Sequence, residues 1–134
     1  MVTHLLDTDI CIALLRGVPG TIAKVSSCSP DELAVSSVTR YELRFGAMRC
    51  AEKHRERELA KVHRLIETLH EIAFDAEAAD RAAGIRTELG NAGTPIGPMD
   101  LQIAATAMAN DLILATGNRK EFERVKGLRL AVWK

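Results

Sequence analysis

Aromatic residues are scarce in this chain: three Phe, one Tyr and one Trp, 4% of its 134 positions. So few rings argue against a platform on which successive bases stack, and Tyr41 and Trp133 are read as packing residues. Cysteine is sparse too. Cys11, Cys28 and Cys50 are odd in number, widely spaced and form no CxxC pair. That argues against a disulfide framework or a zinc site and fits reduced thiols in a cytoplasmic protein. The longest unbroken apolar run is Ile10–Leu15, far short of the about 20 residues a membrane span requires. The opening MVTHLLD has no basic segment, so no signal peptide is expected. No GxxxxGK[ST] or GxGxxG run occurs, and phosphate-binding loops are unsupported. Net charge is zero, with 18 basic and 18 acidic residues, so no overall basic excess announces a nucleic-acid partner.

What is present is an ordinary compact composition, 47% apolar and 27% charged, which argues against disorder. The length suits one domain, 1–134, able to bury roughly two-thirds of its unfolded surface. The charge is unevenly spread. Arg40, Arg44, Arg49, Lys53, Arg55, Arg57, Lys61 and Arg64 outnumber the four acids between 40 and 64, and Arg119, Lys120, Arg124, Lys126, Arg129 and Lys134 make a basic tail. Either patch could hold a phosphate backbone, although alternating signs over 52–58 read first as a solvated helix face.

Short apolar segments alternate with helical periodicity. Strands are expected at Thr3–Asp7, Leu33–Ser37, Glu71–Phe74, Leu112–Ala115 and Leu128–Val132. Helices are expected through about Arg16, over Thr21–Ser27, from Val38, and from about Glu52 to His70, which would carry His54, His63 and His70. Further helices are expected from Asp75 as N-cap to about Asn91, from Pro98 to about Asn110, and over Arg119–Val125. The Pro98 helix is apolar nearly all round, Met108 included, and is expected to be buried. This alternation predicts an α/β fold whose mostly parallel sheet is covered on both faces. Ligands of such sheets bind beyond the carboxyl ends of the strands.

Three acids stand where strand or loop gives way to helix: Asp7 in HLLD, Glu42 in SSVTRYEL and Asp100 in GTPIGPMDLQIAA. Each has a structural role open to it. Asp7 or Thr8 could cap a helix, Thr39-x-x-Glu42 fits a capping box, Asp100 could complement a helix dipole, and Asn118-x-x-Glu121 resembles a helix start. If the fold gathers them, they repel by about 4 kcal/mol per pair at 4 Å and an effective dielectric of 20. They then need a cation or raised pKa values. Oxygen ligands alone suit Mg2+ or Mn2+, which points to phosphodiester chemistry.

Four segments in order, LLDTDICIALL, AVSSVTRYELRFGA, GTPIGPMDLQIAA and TGNRKEFERVKGLRLAVW, resemble PIN-domain ribonucleases, and more closely the VapC-type toxins of bacterial VapBC toxin–antitoxin pairs. The resemblance spans essentially the whole chain. It implies a three-layer α/β/α sandwich and a Mg2+- or Mn2+-dependent endoribonuclease whose metal is held by Asp7, Glu42 and Asp100. The family's fourth acidic position falls on Asn118, which carries no charge and puts a second metal in doubt. Thr116 matches a polar strand-end position that orients water or substrate. Asp9 stands where the family commonly has Asn; a hydrogen bond within its own helix turn is the expectation. The resemblance further implies structured RNA as substrate, notably the initiator tRNA anticodon stem-loop. It also implies a homodimer, a VapB-type antitoxin, and operator DNA bound only through that antitoxin.

Two other readings stay open. Asn118 leaves room for a PIN-like module that binds RNA or protein without cutting. Asp7-Thr8-Asp9 allows a haloacid-dehalogenase-like phosphatase with Asp7 as nucleophile, although Ile10-Cys11 follow where that family has Gly and then Thr or Val.

Overall fold

The computed structural model describes residues 1–133. Its elements in chain order are β1 (His4–Leu6), α1 (Thr8–Leu15), α2 (Pro19–Ser26), a 3-10 turn (Pro30–Glu32), β2 (Leu33–Ser36), α3 (Ser37–Met48), α4 (Glu52–Glu67), β3 (His70–Ile72), α5 (Ala76–Asn91), α6 (Pro98–Ala109), β4 (Ile113–Thr116), α7 (Arg119–Phe122) and β5 (Leu130–Val132). The strands form one sheet in the order β3-β2-β1-β4-β5. Every pairing is parallel, so the sheet is wholly rather than mostly parallel.

Register explains the two cores. Leu5 pairs with Ala34 and Leu114, and Leu6 with Val35 and Ala115. Alternate strand residues point to opposite faces. Leu5, Ala34 and Leu114 accordingly pack with Ile85, Leu89, Ile103, Ala104 and Phe122 from α5, α6 and α7. Leu6, Val35 and Ala115 pack with Ile10, Leu43, Ala47, Val62 and Ile66 from α1, α3 and α4. Helices thus cover both faces, as the alternating pattern implied, and make the α/β/α sandwich that the family resemblance implied. Phe122 is fully buried, and its truncation to Ala should cost about 3–5 kcal/mol.

Local chemistry sets the helix ends. Ser36 caps α3 by accepting from the Thr39 amide, and Asp75 caps α5 by accepting from that of Ala78. Pro19 and Pro98 open α2 and α6, where a missing N–H costs nothing. After α1, Gly17 takes φ 73°, a left-handed cap that lets the Val18 amide reach back to the Ala13 carbonyl.

Several sequence expectations are corrected. The long helix stops at Glu67, and His70 instead opens β3, so His63 and His70 share no helix face. The second helix starts at Pro19 rather than Thr21, and the last helix ends at Phe122, three residues early. The last strand begins at Leu130, two residues late. Tyr41 is not a packing residue but is 58% exposed, whereas Trp133 is buried and stacks on His4. Met108 is half-buried, unlike its buried neighbours Ala104 to Ala107. The cysteines are free, with Cys11 buried. No helix among the described residues is long and apolar enough to cross a membrane. Lys134 of the basic tail lies outside the described residues.

The basic stretch over α3 and α4 is partly neutralised. Arg40 is held by both oxygens of Glu71, and Arg57 and Lys61 flank Glu58.

Candidate active site

In the strand order β3-β2-β1-β4-β5 the chain first adds strands on one side of β1 and then crosses to the other. The switch point is the crevice at the carboxyl ends of β1 and β4, where open sheets of this type bind ligands. Asp7 follows β1 directly, and Thr116 ends β4.

Asp7 is 4% exposed. One carboxylate oxygen accepts the Thr8 amide at 2.8 Å, and the other accepts the Thr116 hydroxyl at 2.7 Å. Thr116 Oγ1 in turn accepts the Asn118 amide at 2.9 Å. Glu42, half-buried one turn into α3, does not close a capping box. Its Oε1 instead accepts the Thr8 hydroxyl at 2.6 Å, across the gap between α1 and α3. Asp100 stands in the first turn of α6. There it faces Glu121, whose Oε1 accepts the Gly97 amide and whose Oε2 accepts the Asn118 side-chain amide, both at 3.0 Å.

Asp9 also departs from expectation. It makes no bond within its own turn; Oδ2 accepts the Gly117 amide at 2.9 Å. It therefore ties the start of α1 to the loop after β4. Asn118 holds Glu121 rather than capping α7 through its side chain.

Burial pushes the Asp7 carboxyl up to about 7. The charge of Asp9 adds to the rise, the hydrogen bonds from Thr116 and Thr8 oppose it, and Asp100 adds further. Burial likewise lifts Asp100 to about 7, followed by the charge of Glu121, a carboxyl–carboxyl hydrogen bond with it, and the charges of Glu42 and Asp9. Glu121 moves the other way: the Gly97 amide lowers it most, with Asn118, Asp100 and Arg124 assisting against desolvation. The two neighbouring carboxyls are therefore pushed apart, Asp100 upward and Glu121 downward. Glu121 is the site residue that sequence reasoning passed over. Its place in TGNRKEF, three residues after Asn118, read as a helix start, and only the fold turns it towards Asp100.

Comparison with known proteins agrees with this geometry. The PIN domain model matches residues 4–128. The chain is 37% identical to the tRNA(fMet)-specific endonuclease VapC of Shigella flexneri over 133 residues, 99% of each chain. It is 36% identical to the protein of that name from Salmonella typhimurium, again over 99% of each. The chain belongs to the PIN-domain family, and within it to the VapC ribonucleases. Among solved structures, it superposes on a chain of DNA-bound VapBC from Salmonella typhimurium with TM-score 0.94 at 36% identity, covering 100% of both chains. A chain of VapBC2 from Rickettsia felis, bound to a DNA fragment from their promoter, gives 0.91 at 29% identity, covering 99% of this chain and 100% of the other.

PIN-domain nucleases generally depend on a divalent metal, and the residues here suit one in kind. The donors at the switch point are carboxylate oxygens, hydroxyls and amides, the set that hard cations take. Burial first and neighbouring acids second lift two carboxyls to about 7, and a bound cation would favour their charged forms. Among the described residues, no three Asp, Glu, His or Cys side chains stand close enough to cage a metal ion. Asp7, Glu42 and Glu121 are instead held by protein donors.

Beside Glu42 a groove of about 490 Å3 runs between α1, α3 and α4, floored by Ile12, Leu15, Leu43 and Val62. It is mainly apolar and carries Glu42 in its wall.

Proposed function

We propose that this chain is a Mg2+- or Mn2+-dependent endoribonuclease toxin that cuts structured RNA, with initiator tRNA as its substrate and a VapB-type antitoxin as its inhibitor. The observation that supports the reading is electrostatic: beyond burial, the charges of Asp9 and Asp100 raise Asp7, and those of Glu121, Glu42 and Asp9 raise Asp100, each to about 7. The relatives named tRNA(fMet)-specific endonuclease, alike over nearly their full length, support the substrate. The VapBC complexes support the partner, and operator DNA would be reached through it. The chain works as one domain in the cytoplasm, where tRNA is found.

Asp7, Glu42 and Asp100 would hold the metal, with Glu121 supplying the charge that Asn118 lacks. When bound, the cation supplies positive charge and Lewis acidity for in-line displacement at phosphorus. Thr116 and the Thr8 amide fix the Asp7 rotamer, so both oxygens are oriented before substrate arrives. Asp9 holds the Gly117 loop against α1 and keeps Thr116 in place. Water adds to phosphorus, the P–O3′ bond breaks, and the proton passes to O3′, leaving 5′-phosphate and 3′-hydroxyl ends. The groove beside Glu42 suits an apolar antitoxin segment that ends near the acids.

Purified protein is incubated with total bacterial RNA in Mg2+ or Mn2+, beside Asp7→Ala, and new 5′ ends are mapped. A discrete cut in one tRNA, lost in the variant and with EDTA, is expected. Equal products from both proteins would sink the site assignment. A trapped aspartyl-phosphate on Asp7 would revive the phosphatase reading.

A further inference from the structure

Glu42 is the end of a line of hydroxyls that starts in the core. The Thr8 hydroxyl donates to Glu42 Oε1 at 2.6 Å. Thr8 Oγ1 lies 2.9 Å from Thr39 Oγ1, and the Ser36 hydroxyl donates to Thr39 Oγ1 at 3.3 Å while accepting the Thr39 amide at 3.1 Å. Each hydroxyl has one proton to give. Thr8 has given its proton to Glu42, so between Thr8 and Thr39 the donor is Thr39. Thr39 has then spent its own, and Ser36 supplies the next. The direction is therefore fixed along the whole line, Ser36 to Thr39 to Thr8 to Glu42. Ser36 and Thr39 are fully buried, where water cannot compete, and aligned bonds strengthen one another by roughly 10–30% each. Among the described residues Oε2 of Glu42 accepts no hydrogen bond, so this line alone orients the carboxylate.

We propose that Thr39 is a positioning residue of the nuclease: backed by Ser36 and acting through Thr8, it sets the orientation of Glu42. This role presupposes that Glu42 holds the metal, as proposed above. Ser36 also caps α3, so its removal would mix two effects. Thr39 offers a cleaner probe, because Thr39→Val keeps the shape and deletes the hydroxyl, while Thr39→Ser keeps the hydroxyl.

The test reads three quantities on the intact protein: the Glu42 side-chain carboxyl 13C shift in EDTA, the Mn2+ affinity by calorimetry, and kcat and KM on the RNA that wild type cuts. Thr39→Val is expected to move the Glu42 resonance and weaken Mn2+ about 10- to 100-fold, as loss of an outer-shell partner does. It should also lower kcat by a similar factor, with KM within about twofold. Thr39→Ser should restore all three, and Thr39→Ala replaces the valine variant if that one does not fold. An unmoved resonance with wild-type Mn2+ affinity and kcat overturns the role while leaving the nuclease reading intact. A resonance that moves in Thr39→Val and returns in Thr39→Ser, in a protein that cuts no RNA, keeps the line of hydroxyls and overturns the nuclease reading.

Discussion

Asp7 and Thr116 lie 109 residues apart in the chain and meet through a 2.7 Å hydrogen bond. It bridges the two strands that flank the switch point, so one contact records both the sheet order and the site. Its energetic sense is mixed. The Thr116 hydroxyl steadies an Asp7 carboxylate that burial destabilises, and burial wins, since the group ends at about 7.

A first prediction concerns the conflict between function and stability at Asp7. Asp7→Asn removes the buried charge, and the Thr116 hydroxyl can turn to accept from the new amide. In EDTA at pH 8 the variant should be more stable than wild type by about 1–2 kcal/mol, the bonds to Thr8 and Thr116 losing their charge assistance and so offsetting part of the gain. At pH 5, where wild-type Asp7 is already protonated, the advantage should disappear. RNA cleavage should fall by at least about 100-fold. Urea melts at both pH values, beside a cleavage assay, check this. A variant less stable at pH 8 would mean that Asp7 is chiefly a helix cap.

Stability should also depend on pH in a definite direction. Asp7 and Asp100 have folded-state values raised to about 7 from 3.8. Their contribution is fully present below about pH 4 and is lost as pH climbs through about 7. For Asp7 alone this corresponds to on the order of 4 kcal/mol. Glu121 is lowered, so its own contribution is lost only as pH falls below the ordinary carboxylate range, outside this window. Burial lowers His4, which works in the opposite sense near neutrality, but it is one imidazole against two strongly shifted carboxyls. The melting temperature in EDTA should therefore drop between pH 5 and pH 8, and saturating Mn2+ should reverse the drop. A flat profile in EDTA would show that the acids are better solvated than their burial implies.

Asn118 gives a third test. Its side-chain amide donates to Glu121 at 3.0 Å. Asn118→Asp replaces that donor with a like charge beside Asp100 and Glu121. The metal-free protein should lose about 1–2 kcal/mol, a fraction of the bare repulsion because the group is half-buried. Mn2+ should raise the melting temperature of the variant more than that of wild type. Equal melting temperatures in EDTA would mean that Asn118 contributes nothing to holding Glu121.

The fold was legible in the sequence because buried parallel strands are short apolar runs and the helices between them keep a helical period. The errors fall where periodicity carries no information. Leu69 and His70 continue a helical pattern past Glu67, yet β3 must start there to pair with Ala34. Asp7, Glu42 and Asp100 were legible as acids at strand-to-helix junctions. Glu121 and the Asp9–Gly117 bond were not, because both depend on how α6, α7 and the loop after β4 converge. Tyr41 went wrong for a similar reason: an aromatic on a helix gives no sign of which face the helix turns outward.

That outward face leads to the last prediction. Tyr41, Phe45 and Met48 follow one another at helical spacing on α3 and are 58%, 52% and 53% exposed. Arg49 covers only part of the Phe45 ring, 5.3 Å from its centroid. Three large apolar side chains in a row mark a contact surface, and the homodimer that the family resemblance implies would bury them around a twofold axis. Phe45→Glu puts a carboxylate on each side of that axis. In sedimentation or light scattering, wild type should have twice the chain mass and the variant the single-chain mass, with dissociation at least about 100-fold easier. Because Phe45 lies outside both cores, the isolated fold should change by no more than about 0.5 kcal/mol. A variant that keeps the double mass would move the interface off α3, and a wild type of single-chain mass would leave the apolar row to another partner.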